Sequence, residues 1–114
     1  FEADHASLAA AGRNVQALNP AIPIASRWID LMQEPIAPQF DWVIMNPAFH
    51  SSRSADAGLG QAMILAASRA LKPGGRLAMV ANKQLPYEDA LQRAFRKFER
   101  VDEDRQFKII KALK

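Results

Sequence analysis

The sequence predicts an α/β protein with a mainly parallel sheet. Segments with helical periodicity alternate along the chain with short apolar segments typical of strands, and turns rich in proline and glycine separate them. With 114 residues, 49% of them hydrophobic, the chain has enough apolar material for a single core.

A helix is predicted over residues 2–18. Its apolar side chains recur three or four residues apart, at Leu8, Ala11, Val15 and Leu18. Asp4 or Ser7 is a suitable N-cap, and Asn19-Pro20 ends the helix because proline lacks the backbone donor that a continuing helix needs.

Two strands are predicted next. Residues 22–28 form a short strand, and Asp30 follows its end. After a loop with two prolines, the run Phe40–Met45 has the pattern of a short, mostly buried strand, which Pro47 ends.

The next predicted elements are a helix over residues 58–71, a turn at residues 72–75 and a buried strand over residues 76–82. The turn is expected because its proline fixes φ and its glycines permit positive φ. One face of the helix carries Leu59, Met63, Ala66 and Ala70.

A last helix is predicted over residues 88–98, with Leu91, Phe95 and Phe98 on its inner face. Residues 100–104 and 107–113 are predicted as paired strands that close an edge of the sheet.

Composition excludes several classes of site. The absence of cysteine excludes disulfides and thiolate metal sites and fits a reducing cytoplasm. His5 and His50 are far apart in the sequence, so we expect no metal site. No segment approaches the ~20 apolar residues needed to span a bilayer, so we expect no membrane contact.

The net charge is +3, and the basic excess lies in the last quarter of the chain. Such a cluster can attract a polyanion, but acidic residues are interleaved with it, which favours an ordinary solvated helix face. The basic residues are Arg93, Arg96, Lys97, Arg100, Arg105, Lys108, Lys111 and Lys114.

The segment Asn46-Pro47-Ala48-Phe49-His50 is the most informative one for function. Ligands of open α/β sheets lie outside the carboxyl ends of the strands, which is where Asn46 is predicted. An amide acceptor beside an aromatic ring suits a flat substrate that carries an N–H group. The simpler alternative is that Asn-Pro only starts a turn.

Several motifs together resemble the S-adenosylmethionine-dependent methyltransferases. They are an acid that opens a helix, an Asp that ends the next strand, Asn46-Pro47-Ala48-Phe49-His50, Leu71-Lys72-Pro73-Gly74-Gly75, and Leu85-Pro86-Tyr87-Glu88. The pattern is most similar to the methyltransferase small domain group, which includes the guanine-N2 methyltransferases of 16S and 23S ribosomal RNA. The resemblance implies a Rossmann-like class I methyltransferase fold with an antiparallel C-terminal edge strand.

Two features depart from the family pattern. Ala48 stands where the family usually has a second proline, and no Gly-x-Gly loop precedes Phe1. Residues 1–114 are therefore expected to be the C-terminal portion of a single methyltransferase domain that lacks its N-terminal strand and Gly-rich loop. An upstream segment or a second copy of the chain is expected to complete the sheet, because a sheet without its central strand has unpaired backbone groups.

The resemblance also implies roles for the acids. Glu2 matches the family's acid that accepts hydrogen bonds from the ribose hydroxyls of S-adenosylmethionine, and a carboxylate suits two hydroxyls because it offers only acceptors. Asp30 resembles the acid that accepts from the adenine amino group. Each has a simpler alternative, which is a helix-start acid for Glu2 and a loop acid for Asp30.

For the reaction itself, the resemblance implies that Asn46 and the Pro47 carbonyl accept the two N–H groups of an exocyclic amine, close to the cofactor. Phe49 would stack on a flipped base, although core packing explains it equally simply. His50 and Asn82 are candidate substrate contacts, with a loop-anchoring role for His50 as the alternative. Tyr87 is expected to pack in the core.

Three functions stay open at this point. The first is transfer of a methyl group from S-adenosylmethionine to guanine N2 of ribosomal RNA in the cytoplasm. The second is methylation of a protein glutamine amide or another small planar amine. The third is a non-catalytic module, for RNA binding or dimerisation, that keeps the fold but has lost the cofactor.

Overall fold

The computed structural model describes residues 1–47 and 55–114, and for residues 55–57 it describes only the backbone. The chain divides into two compact units, Phe1–Glu34 and Pro35–Lys114. The elements are α1 (His5–Leu18), β1 (Phe40–Met45), α2 (Ala55–Ala70), β2 (Leu71–Asn82), α3 (Glu88–Ala94), β3 (Lys97–Glu103) and β4 (Phe107–Leu113).

The first unit contains α1, which ends at Leu18 as predicted but begins at His5 rather than at residue 2. Asp4 is the N-cap, and its Oδ2 accepts a hydrogen bond from the backbone N–H of Ser7 at 2.8 Å. Asn19 ends the helix in the left-handed conformation, with φ of 40°, and Pro20 follows it.

The strand predicted over residues 22–28 is wrong for most of its length. Within the first unit, only Trp28 forms a bridge, which is parallel to Glu2. Ile22 and Ile24 are exposed, and Pro23 has no backbone N–H to donate to a ladder.

The second unit contains a four-stranded sheet in the order β1-β2-β4-β3. β1 pairs parallel with β2, whereas β4 pairs antiparallel with both β2 and β3. It follows that β1, β2 and β3 run in one direction and β4 runs in the other. This confirms the α/β class, and the last strand is antiparallel as predicted, but β3 rather than β4 forms the edge.

The core lies between one face of this sheet and the helices α2 and α3. The fully buried side chains of the unit include Ile64, Leu71, Leu77, Met79, Tyr87, Leu91 and Ile110. In β4, side chains alternate strictly between buried and exposed, which is typical of a sheet with one covered face.

β1 is not mostly buried, contrary to the prediction. Trp42 and Ile44 are 47% and 83% exposed, whereas Val43 and Met45 pack against the core. The difference arises because β1 is an edge strand and its alternate side chains point away from the covered face.

The helix α2 begins at Ala55 rather than at residue 58, and its buried face is rotated from the predicted one. Ile64 and Ala67 are buried, whereas Leu59 is 38% exposed. Ala70 is buried as predicted. Apolar residues occur on every side of this segment, so the sequence does not show which side faces the sheet.

The turn predicted at residues 72–75 is instead an irregularity inside β2. Between the pairs Phe40–Leu71 and Trp42–Arg76, β1 advances two residues and β2 advances five. Gly74, with φ of 78°, supplies the positive φ that the prediction required.

The helix α3 is shorter than predicted, because it ends at Ala94 and Phe95 is already extended. Phe98 therefore lies in β3, although it packs against the core as expected. Of the eight late basic residues, Lys97, Arg100, Lys108 and Lys111 lie on the paired strands β3 and β4, and Arg93 alone lies on a helix.

In the part of the chain that the structure describes, every helix is too short or too polar to cross a membrane.

Candidate active site

Two amide side chains lie where parallel strands of the second unit end. β1 ends at Met45 and is followed by Asn46, and β2 ends at Asn82. Met45 pairs with Met79, so Asn82 lies three residues beyond the level of Met45. Because β1 and β2 run in the same direction, both amides lie at the carboxyl edge of the sheet, where α/β proteins bind ligands.

The Asn46 side chain is available to a ligand. The residue is exposed, and no hydrogen bond to its amide is formed within residues 1–47 and 55–114. Pro47, which follows it, is buried and so ties the end of the strand to the protein. Ala48, Phe49 and His50 lie outside the described residues.

Asn82 is held by a local turn. Its Oδ1 accepts a hydrogen bond from the backbone N–H of Gln84 at 3.0 Å, and its backbone pairs with Phe107. The amide oxygen is thus already used, and the Nδ2 donor is the group that this half-buried side chain offers to a ligand.

The loop from β2 to α3 is anchored at the same edge of the sheet. The side chain of Tyr87 is fully buried, which confirms that it packs in the core. Its ring lies against Gly60 of α2, where an added Cβ would come within 2.0 Å of the Tyr87 hydroxyl oxygen. Beside it, the Gln61 Nε2 donates to the Pro86 carbonyl at 3.3 Å.

A buried lysine also holds this loop, and the sequence analysis did not single it out. Lys108 is 1% exposed, and its Nζ donates to the Leu85 carbonyl and to the Glu88 Oε1, both at 2.7 Å. The signal in the sequence is its place in β4, where it alternates with exposed residues and shares the buried face with Ile110 and Ala112.

Glu88 also begins a chain of ion pairs. Arg100 donates to the Glu88 Oε1 at 3.3 Å and to the Glu103 Oε2 at 2.6 Å, and Lys83 donates to the Glu103 Oε1 at 2.7 Å. Burial raises the pKa of Glu88, but hydrogen bonds from Lys108, its own backbone N–H and Arg100 outweigh this and hold the pKa below its ordinary value. Glu88 is therefore a carboxylate at neutral pH.

In the first unit, Glu2 forms the isolated bridge with Trp28, and Asp30 lies two residues after Trp28. The backbone of Glu2 accepts from Ile29 at 3.0 Å and donates to Arg27 at 3.2 Å. One carboxylate oxygen of Glu2 accepts from the Asp4 N–H at 2.8 Å, and one of Asp30 accepts from the Met32 N–H at 2.9 Å.

The second oxygen of each carboxylate has no partner among the described residues. Trp28, between the two acids, keeps an exposed ring while its Nε1 donates to the Ala3 carbonyl at 2.8 Å. Two oriented carboxylates and an exposed aromatic ring fit a nucleoside that carries hydroxyl and amino donors. Within residues 1–47 and 55–114, no three histidine or carboxylate side chains are grouped to hold a metal ion.

The sheet and the polar groups at its carboxyl edge define an α/β protein with a candidate ligand site at the ends of parallel strands. The family model of the methyltransferase small domain matches residues 1–111, and the chain belongs to this family. The family suggested by the sequence motifs is thereby confirmed.

Known relatives are similar over about two thirds of the chain. The ribosomal RNA small subunit methyltransferase C of Chromohalobacter salexigens is 39% identical over 79 residues, which are 69% of this chain and 24% of the relative. The ribosomal RNA large subunit methyltransferase G of Streptomyces coelicolor is 40% identical over 74 residues, 65% of this chain and 20% of the relative. The matched region thus spans a quarter or less of the length of these relatives.

A solved structure shares the fold. It is a T. Thermophilus 16S rRNA N2 methyltransferase in complex with AdoMet and guanosine, with a TM-score of 0.64 and 23% sequence identity. The likeness covers 92% of this chain and 27% of that chain. At this level of identity the comparison establishes the fold, and this agrees with the Rossmann-like fold that the motifs implied.

Proposed function

We propose that this chain is part of a cytoplasmic enzyme that transfers a methyl group from S-adenosylmethionine to guanine N2 of ribosomal RNA. The family match over residues 1–111 supports methyl transfer. The names of the relatives, which are ribosomal RNA methyltransferases of both subunits, support the class of substrate. We further propose that residues 1–114 are the C-terminal portion of one methyltransferase domain.

The observation that carries this proposal is the Asn46 side chain. It is exposed at the carboxyl end of β1, it has no hydrogen-bond partner within the described part of the chain, and the buried Pro47 follows it. A turn that is purely structural does not need an exposed side-chain amide that makes no hydrogen bond. It is the group required to hold a planar amine.

Methyl transfer to an exocyclic amine depends more on the alignment of the reacting atoms than on a base. The lone pair of an exocyclic amine is delocalised into its ring, so the nitrogen is a weak nucleophile. Asn46 Oδ1 and the Pro47 carbonyl each accept one N–H of the amine, which directs its lone pair out of the base plane. Holding the reacting atoms in this orientation supplies much of the catalysis. Neither amide is a base, so the proton that the nitrogen loses passes to water.

S-adenosylmethionine, when bound, supplies a methyl group on a positively charged sulfur. We assign its ribose hydroxyls to Glu2 and its adenine amino group to Asp30. The free second oxygen of each carboxylate supports these roles, because each can accept a hydrogen bond without breaking the one that orients it.

We assign the flipped base to stacking on Phe49 and a hydrogen bond to His50, by resemblance to the family. The Nδ2 of Asn82 is a further donor for the base, since its oxygen is occupied by Gln84. A base in a folded RNA must leave its stack to be methylated on its edge, and an aromatic face helps to hold it.

The test is methyl transfer by the intact protein carrying Asn46→Ala. We expect the rate constant to fall by about 100-fold or more, because the amine is no longer aligned. We expect the affinity for S-adenosylmethionine, measured by calorimetry, to be nearly unchanged. Asn14→Ala, which removes an exposed amide from α1, is the matched control and should leave both quantities unchanged.

Glu2→Ala should show the reverse pattern, with weaker cofactor binding as its first effect. The proposal fails if the wild-type protein does not bind S-adenosylmethionine, or if Asn46→Ala weakens cofactor binding and leaves turnover intact. Labelled methyl groups accepted by the protein fraction of a cell extract, and not by ribosomal RNA, would reject the RNA substrate.

A further inference from the structure

We infer that Lys108 is a positioning residue of this site: it fixes the loop segment Leu85–Glu88, against which the start of α2 rests. The inference depends on the proposed function, because it names a residue that acts on the acceptor side of the same reaction. Lys108 itself is buried and contacts no substrate.

Lys108 holds both ends of a four-residue segment. Its ammonium donates to the Leu85 carbonyl and to the Glu88 carboxylate, each at 2.7 Å. Leu85 precedes α3, and Glu88 is the first residue of that helix. This side chain therefore ties both ends of the segment to β4, in addition to the backbone hydrogen bond from Lys83 to the Gln106 carbonyl.

Burying the charged side chain of Lys108 at this position costs free energy. Removing an ammonium from water costs several kcal/mol, and a well-packed apolar side chain is often equally stable or more so. Ile110 and Ala112, the next residues on the same face of β4, are apolar. Packing alone thus gives no reason for a lysine, whereas two directed hydrogen bonds do.

The segment in turn supports α2. The Pro86 carbonyl accepts from Gln61, and the Tyr87 ring lies against Gly60, so close that a single added carbon would clash. Both contacts fall in the first two turns of α2, which begins at Ala55. Residues 48–54 join Pro47 to this helix, and they include Phe49 and His50.

A chain of ion pairs also connects Glu88 with the end of β2. Glu88 bonds Arg100, Arg100 bonds Glu103, and Glu103 bonds Lys83, which directly follows Asn82. These contacts thus hold the chain that follows Asn82 and the first two turns of α2. Lys108 is the most buried charge among them, and we expect its removal to loosen the acceptor side of the site.

The experiment compares Lys108→Met with Lys111→Met in the intact protein. Methionine keeps most of the length of lysine and removes its charge, and Lys111 lies on the same strand with its side chain on the exposed face. For Lys108→Met we expect KM for the RNA to rise by about tenfold or more, with the dissociation constant of S-adenosylmethionine unchanged. We also expect faster hydrogen exchange in residues 84–88 and in the first turns of α2. Lys111→Met should change none of these.

A folded Lys108→Met protein whose KM and hydrogen exchange equal those of Lys111→Met would overturn the inference. If Lys108→Met does not fold, Glu88→Gln decides, since that side chain is 41% exposed and its amide oxygen leaves the buried ammonium an acceptor while the ion pair is lost. This variant should also raise KM for the RNA, and an unchanged KM would refute the positioning role of Lys108. A wild-type protein without methyl transfer would refute the proposed function instead, and the exchange rates of residues 84–88 would still decide whether Lys108 anchors the loop.

Discussion

The two compact units of this chain position their candidate site residues by different means. In Pro35–Lys114 a continuous core lies under β1, β2 and β4, and Asn46 and Asn82 follow strands that belong to it. In Phe1–Glu34, Ile29 is the one buried hydrophobic residue, and α1 buries none. There, Glu2 and Asp30 are oriented by backbone hydrogen bonds within a few residues.

The two units thus differ in what positions their side chains, which is apolar packing in one and hydrogen bonding in the other. Packing places the acceptor side of the proposed site, and removing or overfilling that packing is costly in free energy. Hydrogen bonds exposed to water place the two acids proposed to bind the cofactor, and each contributes little to stability. Substitutions in the two units should therefore have very different effects on the free energy of unfolding.

The largest contrast should come from two leucines in helices. Leu91 of α3 is fully buried, whereas Leu18 of α1 is 79% exposed. We expect Leu91→Ala to lower the free energy of unfolding by about 2–5 kcal/mol, through lost burial and the cavity left behind. Leu18→Ala should change it by less than about 0.5 kcal/mol.

Urea unfolding of the intact protein measures both values. The comparison would be wrong if Leu18→Ala destabilised the protein as much as Leu91→Ala does. That outcome would mean that α1 contributes apolar contacts as important as those of the core.

The same contrast explains which parts of the fold were predictable. Phe40–Met45 and Phe107–Leu113 were predicted with their observed bounds, because each is a short run rich in apolar residues. The strand predicted over residues 22–28 failed, because apolar composition does not show whether a segment finds a partner. The edge position of β3 was missed because strand order depends on pairing between distant segments.

The site was predictable to a similar extent. Asn46 could be located at a strand end because the strand and the proline after it are local features of the sequence. Lys108 was missed since its partners Leu85 and Glu88 lie 23 and 20 residues away. A lysine on the buried face of an alternating strand is nevertheless a signal that a pattern analysis can detect.

An intermediate effect should come from Gly60, the residue of α2 that touches Tyr87. An added Cβ would lie within 2.0 Å of the hydroxyl oxygen and 2.7 Å of a ring carbon of this fully buried side chain. We expect Gly60→Ala to lower the free energy of unfolding by about 1–3 kcal/mol through overpacking. Thermal or urea unfolding measures it.

Gly58 is the matched control, two residues earlier in the same helix. Nothing lies within 4 Å of a Cβ at Gly58, so Gly58→Ala should stabilise the protein by roughly 0.5–1 kcal/mol through helix propensity. Equal effects of the two substitutions would show that the Tyr87 contact does not restrict α2.

The smallest effect should come from two exposed aspartates, one in each unit. Hydrogen bonds from Ser7 hold the pKa of Asp4 below its ordinary value of 3.8, and the backbone N–H groups of Phe107 and Gln106 do the same for Asp104. A carboxyl whose pKa is lower in the folded state stabilises that state fully above its unfolded pKa. The contribution is lost as the pH falls through the lower, folded pKa.

Protonation should therefore have different structural results in the two units. Below pH 3.8, we expect the first turn of α1 to fray once the Asp4 cap is lost, because that helix buries no side chain. The β3–β4 hairpin should persist when Asp104 is protonated, since Ile110 and Ala112 of β4 keep it packed on the core. Amide NMR signals of Ser7 and Phe107 followed with pH measure both, and Asp4→Asn, which caps without titrating, should remove the change at Ser7. A hairpin that opened together with the end of α1 would contradict the contrast, because hydrogen bonds rather than packing would then be holding both units in place.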